Sequence, residues 1–363
     1  MFDGIVPMVS ATVDAAALRH NLIAVRRRAP RSRVMAVVKA NAYGHGLGLV
    51  ARALDDADAF AVARLDEALS LRRAGTLKPI VLLEGVFDAD QLAAAGQAGF
   101  ELVVHLAEQI ELLRGARPPQ PLKVWLKLDT GMNRLGLKGA DFHAALAALE
   151  GLPAVRRPVN LFTHFARADE PELSATALQL RLFDAATHAL PGERSIANSA
   201  GLLNYPAAHA EWVRPGLMLY GVSPMAGSIG EDHGLKPVMT LNSRVIAVKA
   251  VEPGEQVGYG GAWTAARPTL LAVAAIGYGD GYPRSLRSGA PVLVNGGRAP
   301  LAGRVSMDMI GIDVTDLSPR VRLGDPVVLW GPGLPVEEIA LWAGTIPYEL
   351  LCGISQRVAA ELR

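Results

Sequence analysis

Eight short and almost wholly apolar segments, separated by helix-like stretches, constrain this chain more than any other feature. They run over residues 34–39, 59–63, 79–84, 101–104, 122–128, 159–164, 195–198 and 212–219. Amphipathic or Ala/Leu-rich stretches lie between them at 65–74, 89–98, 107–114, 140–149 and 175–190. Leu18, Leu22 and Val25 recur at helical spacing ahead of the first segment. Strands of a parallel sheet are covered on both faces, so they read as continuous apolar runs rather than as alternation. Eight such strands alternating with helices predict an α/β fold, a TIM-like (β/α)8 barrel.

The pattern changes near Leu235. Strand-like pieces follow at 239–251, 270–276, 292–294, 302–305, 310–314 and 326–330, and helices are predicted at 336–343 and 348–352. Turn formers punctuate them at Glu252-Pro253-Gly254, Asn295-Gly296-Gly297 and Gly331-Pro332-Gly333. The chain therefore divides into a barrel over 1–234 and a mostly-β domain over 235–363, with about the first ten residues free to pair with the β domain.

A length of 363 residues accommodates both units, and 50% hydrophobic content supplies a sizeable core. A net charge of +1 gives no electrostatic case for nucleic acid or an anionic membrane. No apolar run approaches the roughly 18 residues of a membrane span. Residues 1–10 hold no basic segment leading into an apolar one, so no secretory signal is expected and the cytoplasm is the default location. The single cysteine, Cys352, rules out an internal disulfide; beside Gly353 in an apolar context it reads as a small buried residue. No metal site is read from the sequence.

Polar residues collect where the barrel strands end. Lys39 ends the first, Lys127 the fifth with Asp129 just beyond, His164 the sixth, and Asn198 with Ser199 the seventh; Arg214 lies in the eighth. Barrel enzymes place their chemistry at this face. A lysine at the end of a buried strand can be desolvated and used as a nucleophile toward an aldehyde. Ser199 opens a helix, where it reads as an N-cap or as a phosphate ligand, and Gly216 offers bare backbone amides. A phosphate cradle opposite a reactive lysine points to pyridoxal 5′-phosphate.

The run Val38-Lys39-Ala40-Asn41-Ala42-Tyr43-Gly44-His45-Gly46 resembles the cofactor-lysine signature of bacterial alanine racemases. Leu128-Asp129-Thr130-Gly131-Met132-Asn133-Arg134-Leu135-Gly136 is similar to a second motif of that family. Further likenesses follow in order at Thr163-His164-Phe165-Ala166, Ala197-Asn198-Ser199-Ala200, Val213-Arg214-Pro215-Gly216 and Gly258-Tyr259-Gly260. Gly277-Tyr278-Gly279-Asp280-Gly281-Tyr282, Gly303-Arg304-Val305-Ser306-Met307-Asp308 and Pro347-Tyr348-Glu349 complete the series, which spans nearly the whole chain. Asn133, Gly279 and Ser306 depart from the commoner residues without touching a proton-transfer position.

The resemblance implies a barrel followed by a β domain, and interconversion of L- and D-alanine on pyridoxal 5′-phosphate by two bases. Lys39 would carry the cofactor and act on the D-alanine side, Tyr259 on the L-alanine side. A tyrosine has a pKa of about 10, so cationic neighbours or hydrogen bonds would have to favour its phenolate. Arg214 would face the pyridine nitrogen, and His164 would bridge to Arg214 and the ring. Asn198 would support the cofactor; Tyr43, Ser199, Tyr348 and the backbone of Gly216 and Leu217 would hold its phosphate. Arg134 and the Met307 backbone would bind the substrate carboxylate. Lys127 matches a position that the family often carboxylates with carbon dioxide. Asp169, Tyr278 and Arg284 would line the entrance, with Asp308 in support. Tyr259, Tyr278, Arg284 and Met307 would reach a second subunit, giving a homodimer with shared sites.

Three other readings fit part of the pattern. Decarboxylases of the same barrel superfamily carry a Gly-rich phosphate motif that this chain lacks. Non-catalytic pyridoxal-phosphate-binding relatives consist of the barrel alone. Broad-specificity racemases usually carry a secretory signal and paired cysteines. Supply of D-alanine for peptidoglycan and use of D-alanine as fuel are both open at this point.

Overall fold

The computed structural model describes residues 7–170, 172 and 174–363. A short strand, β1 (Ser10–Val13), leads into the helix Ala15–Arg28. Asp14 caps that helix, accepting from the amides of Ala16 at 2.7 Å and Ala17 at 2.9 Å. Leu18, Leu22 and Val25 are buried on one helix face, as their spacing requires.

Eight parallel strands then close a barrel: β2 (Arg33–Val37), β3 (Ala59–Val62), β4 (Ile80–Leu82), β5 (Glu101–Val104), β6 (Leu122–Lys127), β7 (Val155–Phe162), β8 (Arg194–Ser195) and β9 (Trp212–Val213). Each pairs with the next, and β9 returns to β2 through Arg33↔Trp212 and Val34↔Val213. Strands β3, β4 and β5 are buried at every position, because helices cover one face and the barrel interior the other.

Several strands end earlier than the apolar runs predict. Residues 38–39, 163–164, 196–198 and 214–219 lie beyond β2, β7, β8 and β9 and form the loops of the site; 217–220 is a 3-10 turn. Local hydrophobicity continues past these ends because the loops plug the barrel mouth, so Val38, Thr163 and Ala197 are all buried.

The C-terminal part is built on β10 (Met239–Val251), whose first eight residues alternate buried and half-buried, as a sheet with one solvated face requires. The small hairpin β11 (Gln256–Val257) and β12 (Trp263–Thr264) follows. Next come β13 (Thr269–Ala274), β14 (Pro291–Val294), β15 (Gly297–Pro300), β16 (Ile310–Asp313), β17 (Pro326–Trp330) and β18 (Ala359–Leu362). The sheet order is β15-β14-β17-β10-β1-β18, with β13 paired to β10 and β16. The predicted strand at 302–305 is absent: Gly303 has φ of 93°, and the chain turns there between β15 and β16.

Strand β1 runs antiparallel to β10 and parallel to β18, so the beginning of the chain is stitched into the β sheet; residues 1–6 of the expected pairing segment lie outside the described residues. Glu337, in the helix Val336–Ala343, accepts from the amides of Ser223 and Gly230, both at 2.9 Å, and ties the sheet to the barrel loops. The helix Pro347–Cys352 lies directly on the turn after Lys39: a Cβ on Gly44 would meet the Leu351 carbonyl oxygen at 2.0 Å. Cys352 is exposed rather than buried, because this short helix turns it away from the packed side that holds Leu350 and Leu351. No helix of the described residues is long and apolar enough to cross a membrane.

Candidate active site

Lys39 lies two residues past β2. The Val38 amide still donates to Ala61 O at 2.9 Å, so extended pairing runs to Val38, and Lys39 begins a tight turn. Its side chain is half-buried at the barrel mouth.

Arg214 follows β9 and is 3% exposed. Its Nη1 donates to Ser195 Oγ at 2.8 Å; its Nη2 donates to Thr163 O at 2.6 Å and Ile196 O at 3.1 Å, and stands 3.3 Å from His164 Nδ1. The guanidinium also lies 3.9 Å from the Phe162 ring centre. Burial lowers its pKa to about 9, which leaves it charged at neutral pH. Burial, then the charges of Arg214, Lys127, Arg134 and Lys39, hold His164 well below its ordinary pKa. A neutral His164 accepts at Nδ1 from Arg214 and carries its proton on Nε2.

Lys127 closes β6 and is buried. Burial, with Arg214 and Arg134 adding and Asp129 opposing, pulls its amine down to about 8. A lysine in that range exposes a substantial neutral fraction, which is the nucleophilic form.

The phosphate candidates are brought together. Ser199 Oγ accepts from the Gly216 amide at 2.9 Å and the Met218 amide at 3.4 Å. It does not cap its own helix, Ser199–Asn204. Asn198 does, accepting from the Gly201 amide at 2.9 Å, because the extended residue one place earlier is the one whose side chain reaches the third amide. A Cβ on Gly216 would meet the Tyr43 hydroxyl at 2.5 Å, so that phenol sits against bare backbone. Leu217 opens the next turn, and the Tyr43 and Tyr348 rings are 5.9 Å apart. Burial, aided by Tyr348 and Cys352, pushes the Tyr43 pKa far up; burial and then Asp169 push Tyr348 up to about 12. Both phenols therefore stay protonated donors, which suits a phosphate.

The remaining candidates are at the rim. Arg134, Asp169 and Arg284 are exposed. Tyr259, between β11 and β12, is 69% exposed, and Met307, Tyr278 and Asp308 also face outward. The structure does not bring these residues of the β domain onto the barrel mouth of the same chain by any recorded hydrogen bond or ion pair among the described residues. It does zip their two loops together: Tyr278 and Gly279 amides donate to Ser306 O at 3.0 Å and Met307 O at 2.9 Å. Arg357 joins Asp308 at 2.7 Å and Asp280 at 3.4 Å across the same loops.

Sequence reasoning missed Ser195, Thr163 and Gln179. Gln179 donates to Thr130 Oγ1 at 3.1 Å and His164 O at 3.2 Å and accepts from the Ala166 amide at 2.9 Å, so it fixes the loops bearing Arg134 and His164. No local signal marks such a residue, because its partners come from other strands.

Lys39, Lys127, Arg134 and Arg214 all act electrostatically on His164. Such a convergence of cations in a half-buried mouth attracts anions, and phosphate and carboxylate groups fit that field.

The family model described as "Alanine racemase, N-terminal domain" matches residues 13–224, and "Alanine racemase, C-terminal domain" matches 238–362. The chain is 52% identical over 352 residues to an alanine racemase of Yersinia pestis, covering 97% of this chain and 98% of that protein. It is 52% identical over 359 residues to the biosynthetic alanine racemase of Escherichia coli K12, covering 98% and 99%. Among solved structures, the biosynthetic alanine racemase of Pseudomonas aeruginosa superposes with a TM-score of 0.95 at 49% identity, covering 99% and 100%. That of Acinetobacter baumannii superposes with a TM-score of 0.93 at 40% identity, covering 99% and 100%.

Proposed function

The chain belongs to the alanine racemase family and interconverts L- and D-alanine, and we propose that it does so with pyridoxal 5′-phosphate carried on Lys39 and with Lys39 and Tyr259 as the two bases. The observation that carries the cofactor and its place is the clustering of four cations around a neutral His164, beside a hydroxyl-and-amide cradle at Ser199, Gly216 and Tyr43. When bound, the cofactor supplies an electron-accepting ring that makes an amino acid's α-proton acidic enough for a side chain to take.

Tyr43, Ser199, Tyr348 and the amides of Gly216 and Leu217 hold the phosphate in this proposal, with Asn198 fixing the turn that presents Ser199. Arg214 bonds the ring nitrogen; being donor-only, it accepts no proton and keeps that nitrogen unprotonated. His164 stays neutral and steadies Arg214. Arg134 and the Met307 backbone bind the substrate carboxylate. The neutral amine of Lys127 adds to carbon dioxide, forming an N–C bond and releasing one proton, and the resulting anion orients Arg134.

Lys39 moves the α-proton on one face. The other face needs a base from elsewhere, and Tyr259, exposed on the single chain, reaches it from a second copy. Tyr278, Arg284, Asp169 and Asp308 then shape the entrance of a homodimer with shared sites. Residence in the cytoplasm and division of the chain at residue 234 belong to the same proposal.

The experiment that tests it is borohydride reduction of the holoprotein followed by peptide mapping, with L-alanine incubated in deuterium oxide alongside. Pyridoxyl fixed to Lys39 and α-deuteration accompanying loss of optical rotation are expected. Absence of label at Lys39 overturns the proposal.

A further inference from the structure

The turn that follows Lys39 is left-handed. Ala40, Asn41, Ala42 and Tyr43 have φ of 53°, 53°, 55° and 52°. None is glycine, and L-residues in this region crowd Cβ against the next carbonyl. Consecutive residues there persist only where surrounding groups fix them. Two bonds within the turn help, from the Ala42 amide to Val38 O at 2.9 Å and from the Gly44 amide to Ala40 O at 3.0 Å.

Three side chains grip it from outside. Glu67 Oε1 accepts from the Ala40 amide at 2.6 Å. Asn41 Oδ1 accepts from the Leu47 amide at 2.8 Å, and His45 Nδ1 lies 2.8 Å from Tyr43 O and 3.1 Å from Ala42 O. Of these, only Glu67 comes from another element, the helix Leu65–Arg73 after β3. Its second oxygen accepts from the amides of Ala63 at 2.9 Å and Arg64 at 3.1 Å, which anchors the carboxylate to the end of the neighbouring strand. The peptide joining Lys39 to Ala40 is thereby tied to β3.

We propose that Glu67 is a positioning residue for Lys39: its carboxylate pins the first amide of the left-handed turn and so sets the direction from which the lysine amine leaves the backbone. The inference rests on Lys39 as the cofactor-bearing residue. Glu67 touches neither substrate nor cofactor in this account. Its effect travels through one hydrogen bond and the strained turn, and a small displacement at Lys39 is enough to slow a reaction that depends on alignment.

The test compares wild type, Glu67→Gln and Glu67→Ala by amide hydrogen exchange of the peptide covering 38–47 and by the rate at which apoprotein takes up pyridoxal 5′-phosphate, read from absorbance. In Glu67→Ala, exchange in 38–47 is expected to rise about tenfold while the barrel strands keep their protection. Cofactor uptake is expected to slow roughly tenfold. Glu67→Gln keeps one oxygen acceptor and turns an N–H toward the other donors, so it falls between. Exchange in 38–47 within about twofold of wild type overturns the proposal, as does acceleration spread evenly over the barrel, or faster exchange with unchanged uptake. Wild-type protein that takes up no cofactor overturns the reading of Lys39 instead, and the exchange comparison still decides whether Glu67 holds the turn.

Discussion

Arg214 Nη2 stands 3.3 Å from His164 Nδ1, and a charged imidazole has no lone pair to accept that contact. The pair therefore exists only with His164 neutral, which agrees with the downward pull of burial and then of Arg214 itself. Arg214→Gln removes the charge and leaves Ser195, Thr163 and Ile196 short of a donor. A fall of at least about 100-fold in kcat/KM is expected, with a loss of stability of about 1–3 kcal/mol. Steady-state racemisation and urea denaturation measure both, and near-wild-type turnover would remove Arg214 from the ring nitrogen.

Acid should destabilise the apoprotein before its carboxylates titrate. Burial lowers the His45 pKa to about 4, and His105 and His164 are also shifted down by burial. Their folded pKa values lie below the unfolded one, so the unfolded chain binds more protons as pH drops below about 6.5. Stability is full above that pH and declines toward pH 4. His45 by itself contributes on the order of 3 kcal/mol of that decline. Urea midpoints at pH 7 and 4.5 test the slope. His45→Asn, which keeps a donor near the Nδ1 position, should flatten it, and an unchanged slope would count against His45.

Lys127→Ala should lower turnover by about 10- to 100-fold, since Arg134 loses the anion that orients it. Formate or acetate should restore part of the activity in the variant and none in wild type. Labelled carbon dioxide should give a carbamate resonance in wild type alone. Full activity in Lys127→Ala would end the carbamate's role.

Mixing Lys39→Ala and Tyr259→Phe proteins, each nearly inactive, should regain activity approaching a quarter of the wild-type value. Random exchange makes half the dimers mixed, and each mixed dimer has one intact site of two. Native mass spectrometry confirms the exchange, and mixed dimers without activity would refute site sharing.

Gly216→Ala places a methyl group where the Tyr43 hydroxyl now lies, 2.5 Å from the ideal Cβ. The phenol must swing away from the cradle. Affinity for pyridoxal 5′-phosphate should fall at least about tenfold, measured by fluorescence titration of the apoprotein, while its melting temperature changes little. Unchanged affinity would mean that Tyr43 does not hold the phosphate.

The sequence by itself determined the number and kind of the elements and the residues that carry the chemistry. Period-free apolar runs meant parallel strands buried on both faces, and β10 alternated because one face of its sheet is solvated. Lys39, His164 and Arg214 were legible because a polar group at the end of an apolar run stands out locally. The tertiary structure decided what those groups touch. Asn198, not Ser199, caps its helix, and Ser199 is freed for the amides of a loop from the next strand. Gly303 turns a run that reads as a strand, and Glu67 reaches the turn after Lys39 from a different barrel unit. Propensity and periodicity act over a few residues, whereas hydrogen-bond partners, burial and the pKa shifts they cause depend on which distant segments meet.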